Sequence, residues 1–353
     1  SFYGLTNKTG NILMTSFVLN FLNPKYASNK DYLENVLSLP LEMILNPAIE
    51  AGDFDIRNFN IVKNRLHDEI LGVGENISRV TLKKALSKLD KSTPTSYGIL
   101  GTVEELEEIS PKSLALAYQD LIQSSCDIFI IGDLDMDKVA NLIFKYFKNP
   151  VVKTEELPTL YVDNKVYSKG RTFRETSHFL ETNLVQIYNI TSLTEKEKVT
   201  TLYFYNYLLG GGGLNTKLYQ LLRERNSLCY GVKSVYLKYD QLLVIQTSIN
   251  KNDVKKAEKL IKQAFREMKN GEFSEQELNN AKESFIFSLN LSLDNQAGIL
   301  NNYVFHIYDN LPLIEDRIKM IKDITKEEIM KIANKIKPNI SFVLEGEESN
   351  GDN

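Results

Sequence analysis

Residues 210–230 read GGGGLNTKLYQLLRERNSLCY. Four glycines form a loop, the stretch up to Leu222-Arg223-Glu224 has helical spacing, and Leu228-Cys229-Tyr230 is apolar and strand-like. Tyr230-Gly231 then opens an order of elements met once before in the chain, from Tyr3-Gly4. In the later copy an apolar run, Leu242 to Ile249, precedes a helical pattern from Lys251 through Leu260, Ile261, Ala264, Phe265 and Met268. In the earlier copy the apolar run is Ile12 to Leu19, and the helical pattern extends from Lys30 to Leu45 despite Pro40.

The parallel continues at one constant offset. FDIRNFNIVKNRL from Phe54 matches FSEQELNNAKESF from Phe273, sharing Phe54/Phe273, Asn60/Asn279 and Lys63/Lys282. Asp55 and Ser274 stand where a short oxygen-bearing side chain accepts from free first-turn amides. Further on, VEELEEISPKSLALAYQDLIQSSCDIFIIGD from Val103 parallels IEDRIKMIKDITKEEIMKIANKIKPNISFVLEG from Ile314. In both, Ser110 or Thr325 caps a helix that leads into a short strand of buried type. One supersecondary plan is used twice.

With 353 residues and 42% hydrophobic content the chain can build about two domains. The divisions expected are a first domain over 1–150, a linker over 151–161 carrying Pro158, a second domain over 162–347 and a disordered tail over 348–353. The second copy has roughly 70 residues before its Tyr-Gly pair and the first has two, so the first is expected to lack its opening strands and helix. Forty-two Lys and Arg against 46 Asp and Glu, without a basic stripe, argue against nucleic acid as a partner. No apolar run reaches the roughly 18 residues of a membrane span, so no membrane partner is expected. Cys126 and Cys229 show no CxxC spacing, which suits a reducing compartment, and a bacterial cytoplasm is the expected location.

The 210–230 string resembles the second-domain signature of the pitrilysin/insulinase family of zinc peptidases: a glycine loop, a helix ending in Leu-Arg-Glu and a strand containing Leu-Ala-Tyr. Gly210, Gly211, Gly212, Gly213, Leu218, Leu222, Arg223, Glu224, Leu228 and Tyr230 stand where that pattern needs them. Cys229 replaces the common alanine, and Asn226-Ser227 lies near the usual glycine. The resemblance implies an α+β fold of two homologous half-domains, each an antiparallel-type sheet with helices on one face, forming a clamshell around a chamber. It further implies that Arg223 and Tyr230 donate hydrogen bonds to a substrate carbonyl. Taken alone, Arg223 reads as a solvated helix-end charge and Tyr230 as a core aromatic. The glycines are not a phosphate cradle, because Thr216-Lys217 stands in the wrong order for one.

Zinc in this family needs an H-x-x-E-H helix and a distal Glu. Of the three histidines, His67 has Leu71 where a second His belongs, and His306, although followed by Asp309 at the acidic position, has Asn310 where a second His belongs. His178-Phe179-Leu180-Glu181-Thr182 comes nearest, but it leads into the strand-like Leu184 to Tyr188, and a Thr hydroxyl is a poor substitute for imidazole. Glu69 falls at the distal-ligand position, late in the helix from Phe54; a solvated surface carboxylate is its alternative. No metal site is complete. The resemblance is therefore to the paralogous subunits that lack the zinc motif.

The expected function is a non-catalytic or partner-dependent subunit of a zinc metallopeptidase, inactive alone. It would bind peptide beside zinc held by an H-x-x-E-H-bearing homologue, as a heterodimer or a homodimer, or by a segment upstream of residue 1. Two alternatives stand beside it: an active endopeptidase whose ligand helix lies upstream, with Glu69 as third ligand, and a structural or assembly protein that has lost peptidase chemistry.

Overall fold

The computed structural model describes residues 1–90, 94–96, 98–147 and 159–347. Most of the expected linker and the whole expected tail lie outside these residues. The described chain forms two compact units. The first contains residues 1–8, 13–72 and 99–147; the second contains 9–12, the described part of 73–98, and 159–347.

The early elements are strands β1 (Phe2–Thr9) and β2 (Ile12–Leu19), helix α1 (Tyr32–Leu45), the short pair β3 (Ile49–Glu50) and β4 (Asp53–Phe54), and helices α2 (Ile56–Gly72), α3 (Ile77–Leu86), α4 (Val103–Glu107), α5 (Pro111–Gln123) and α6 (Met136–Phe144). Among the described residues β1 pairs only with β2 and β3 only with β4. The core of the first unit is small: Leu33 and Leu37 of α1 against Val139, Leu142 and Ile143 of α6. The strand expected at the end of the α5 segment does not form; residues 127–131 take no regular secondary structure and residue 132 lies in a bend.

The second unit adds β5 (Arg171–Thr176), β6 (Thr182–Ile190), α7 (Leu202–Asn206), α8 (Lys217–Tyr219), β7 (Val232–Leu237), β8 (Leu242–Ile249), α9 (Val254–Asn270), α10 (Glu275–Leu291), α11 (Gln296–Asp309), α12 (Ile314–Lys322), α13 (Lys326–Lys335) and β9 (Ile336–Glu345). Its sheet has the order β5-β9-β6-β8-β7, antiparallel at every ladder except the parallel β5/β9 pair. β6 is central and buried along its whole length, with Leu184, Tyr188 and Ile190 on one face and Val185 and Ile187 on the other, between buried polar residues Asn183, Gln186 and Asn189. One face packs Leu184, Tyr188 and Val343 against α7, α9 and α13.

The opposite face is also covered, by a helix from within the first sequence copy. Val185, Ile187, Val244, Ile340, Phe342 and Leu344 pack against Ala85 of α3 and against Leu89. Gln246 Nε2 fixes the start of that helix by donating to Ser78 O at 2.7 Å and to Asn183 Oδ1 at 3.0 Å. The unit boundaries therefore differ from the linear division expected at 150. A sheet with two apolar faces needs two layers over it, and α3 supplies the second.

The repeat also holds at atomic detail. Asp55 Oδ1 accepts from Asn58 N at 2.9 Å, and Ser274 Oγ accepts from Glu277 N at 3.1 Å. Ser110 and Thr325 cap α5 and α13 as expected. The matched lysines act alike: Lys63 Nζ donates to Glu107 O at the end of α4, and Lys282 Nζ to Lys322 O at the end of α12. No helix among the described residues is long and apolar enough to cross a membrane.

Candidate functional site

The glycines that open the 210–230 string join two helical segments, one ending at Gly211 and one starting at Lys217. α7 is flanked by π-type turns over Glu197–Thr201 and Tyr207–Gly211, and the second closes through Gly212 N donating to Tyr207 O at 2.9 Å. A Cβ on Gly210 would lie 2.7 Å from Leu218 Cδ1 and 2.8 Å from Ser234 Oγ, so glycine alone lets this helix end meet α8 and β7. Gly213, at φ +87°, turns the chain into open space. Thr216 then caps the next segment, accepting from Tyr219 N and donating to Gly213 O.

Leu218, Leu221 and Leu222 anchor this second segment in the core, which leaves Arg223 at its solvent-facing end. The final turn, Gln220–Glu224, is again of π type and closes through Arg225 N to Gln220 O at 3.0 Å. Such turns are frequent at functional sites. Ser227 reverses the chain at φ +51°, and Leu228 N returns to Leu222 O at 2.9 Å. A left-handed residue here accounts for the usual glycine of the signature near this position.

Leu228 and Cys229 are buried, whereas Tyr230 is 91% exposed, in a bend just before β7 rather than within a strand. Thr247 Oγ1 holds the bend by donating to Gly231 O at 2.9 Å. Arg223 and Tyr230 come together: the guanidinium carbon lies 5.5 Å from the ring centroid. The core-aromatic alternative for Tyr230 is excluded by its exposure. Arg223 forms no ion pair with a carboxylate of the described residues, so its donors remain available beside the phenol. Burial pushes the Cys229 thiol up, with a Thr247 hydrogen bond and Arg223 opposing, which suits a packing role rather than a nucleophilic one.

The remaining candidates stay apart. Glu69 is exposed on α2. His67 Nδ1 lies 3.5 Å from Asp68 Oδ1. His178 stacks on Phe179, and Thr182, at the start of β6, accepts from Gly346 N at 3.0 Å. His306 Nδ1 meets Leu311 O at 2.9 Å. Among the described residues no three His, Cys, Asp or Glu side chains converge, so their donors do not fit the three or four ligands that a zinc ion takes.

One element at the site went unread in the sequence. β7, with Val232, Ser234 and Tyr236 buried and Lys233 and Val235 outward, alternates with strand period, and that signal follows directly on the Tyr-Gly pair. It ends the sheet, so its outer edge has no strand partner among the described residues.

With this geometry in hand, comparisons with known proteins converge. Residues 109–285 match the family described as the peptidase M16 inactive domain. The chain is 27% identical over 347 residues to the "Probable inactive metalloprotease YmfF" of Bacillus subtilis, covering 97% of this chain and 80% of that protein. A conserved protein from Enterococcus faecalis superposes with a TM-score of 0.85 at 23% identity, covering 99% of this chain and 83% of that one. A protease from Helicobacter pylori superposes with a TM-score of 0.76 at 15% identity, covering 97% and 82%.

Proposed function

The chain belongs to the peptidase M16 family through its inactive domain, the pitrilysin/insulinase relationship read from residues 210–230, and from that premise we propose that it is the non-catalytic, peptide-binding partner of a zinc metallopeptidase. The observation that carries this reading is the Arg223/Tyr230 pair, held at 5.5 Å with an exposed phenol beside the open edge of β7. An extended peptide can add to such an edge through main-chain hydrogen bonds. Arg223 and Tyr230 would then donate to a peptide carbonyl next to the zinc of an H-x-x-E-H-bearing homologue, where charge developing on that oxygen would be stabilised.

The test is metal content and cleavage of an unstructured peptide, for the chain alone and after adding such a homologue from the same genome. Expected are a chain without stoichiometric zinc that cleaves nothing alone, a mixture that cleaves, and a loss of about 10²-fold in the mixture's kcat/KM with Arg223→Ala. Cleavage by the chain alone, or a mixture indifferent to Arg223→Ala and Tyr230→Phe, would overturn the reading.

A further inference from the structure

The open edge of β7 carries information about what it would accept. Successive side chains of this strand take opposite faces. Val232, Ser234 and Tyr236 are committed to the core, while Lys233 is exposed and Val235 is 43% exposed on the other face. On that face Val235 pairs with Val244 of β8, which is buried in the layer beneath α3. Lys233 pairs with Gln246, whose amide nitrogen is already given to Ser78 O and Asn183 Oδ1. Lys233 forms no ion pair with a carboxylate of the described residues, and neither does Arg223 at the head of the strand. The carboxylate adjoining Arg223 in sequence, Glu224, is exposed at the end of its turn. The edge therefore offers an unneutralised cation, then an apolar surface two residues along.

We infer that the segment bound at β7 is acidic and apolar in alternation: an extended peptide with Asp or Glu facing Lys233 and, two positions away, a β-branched or other apolar residue facing Val235. This rests on the peptide-binding reading above and adds the class of peptide. The two-residue period is the same for parallel and antiparallel addition, so the pattern does not depend on strand direction. Opposite charges directly across a ladder favour pairing, and apolar residues beside a buried Val244 extend its covered surface.

The probes are two fluorescein-labelled peptides of Thr-Glu-Thr-Val repeats and Thr-Lys-Thr-Val repeats, titrated by polarisation with the whole chain at low ionic strength. The acidic peptide should bind roughly two- to five-fold more tightly, the range for a single cross-strand charge pair. Lys233→Gln should erase the preference and Lys233→Glu should reverse it, with circular dichroism unchanged. Arg223→Ala should weaken both peptides. If both peptides bind alike and Lys233→Glu shifts neither, while Arg223→Ala still weakens them, the acidic class is wrong and the peptide site stands. If neither peptide binds, the peptide-binding reading fails and this inference fails with it.

Discussion

The two sequence copies use one set of local instructions and reach different tertiary outcomes. Both cap their matched helices with the expected residues, and both use the matched lysine to cover the last carbonyls of a later helix. In the second copy those helices close over a five-stranded sheet. In the first, the counterpart of β7 and β8 is the hairpin of β1 and β2, which pairs with no further strand among the described residues. Its stretch 127–132 corresponds to β9 and forms no strand. Capping is decided by residues within one turn, whereas a strand is decided by its neighbours. A repeat can therefore be complete at the level of caps and incomplete at the level of the sheet.

The difference predicts unequal sensitivity to core truncation. Phe342 on β9 is fully buried between β6 and α3, and Phe342→Ala should cost about 3–5 kcal/mol. Leu37 on α1 belongs to the smaller core of the first unit, which can relax around the loss, so Leu37→Ala should fall near about 2 kcal/mol, the low end for such changes. Urea unfolding followed at residues of each unit would measure both. Equal costs would mean that the first unit is as tightly packed as the second.

The caps should behave oppositely, because they are local. Asp55→Ala and Ser274→Ala should each remove about 1 kcal/mol. The Ser274 change should be somewhat larger, since Glu277 Oε2 also accepts from Ser274 N at 2.6 Å in a reciprocal box. The same unfolding experiment serves, and a response confined to the second copy would break the argument that capping is independent of the sheet.

Legibility in the sequence follows the same division between local and distant causes. The helices over 32–45, 254–270 and 275–291, the four caps, and the apolar strands at 12–19 and 242–249 were readable because each is set by residues within a few positions. The Arg223/Tyr230 pair was singled out by the resemblance of residues 210–230 to a family signature, and the burial of Leu222 and Leu228 on either side of the turn is what brings the two side chains together. The role of α3 was not. Its Ala85 and Thr81 look like an ordinary small-residue stripe, and only the sheet, assembled from residues about a hundred and more positions away, makes that stripe a second layer. The strain at Ser227 was equally hidden, since Asn226-Ser227 reads as a turn without revealing which residue takes positive φ.

α3 is the element that most directly joins the two comparisons, because it stands in the first copy's sequence and packs on the second copy's sheet. Besides its apolar contacts and the Gln246 hydrogen bond, it is held by charge: Lys84 Nζ and Lys88 Nζ lie 2.6 and 2.8 Å from the Glu175 carboxylate on β5. The Lys84 hydrogen bond, followed by that from Lys88, lowers the pKa of Glu175 below the ordinary carboxylate value. A depressed folded-state pKa means that the stabilisation is present above the unfolded value of about 4.5 and is lost as pH falls through the lower folded value. All three side chains are partly solvated, so screening keeps the contribution within the ~0–1 kcal/mol of exposed pairs. Hydrogen exchange in the α3 amides, corrected for intrinsic rates, should show protection falling as the pH is lowered below the ordinary carboxylate value of about 4.5. Glu175→Gln should flatten that dependence while leaving α10 unaffected. Protection that stays level in the wild type across this range would mean that the apolar layer under α3 holds it without help from the ion pairs.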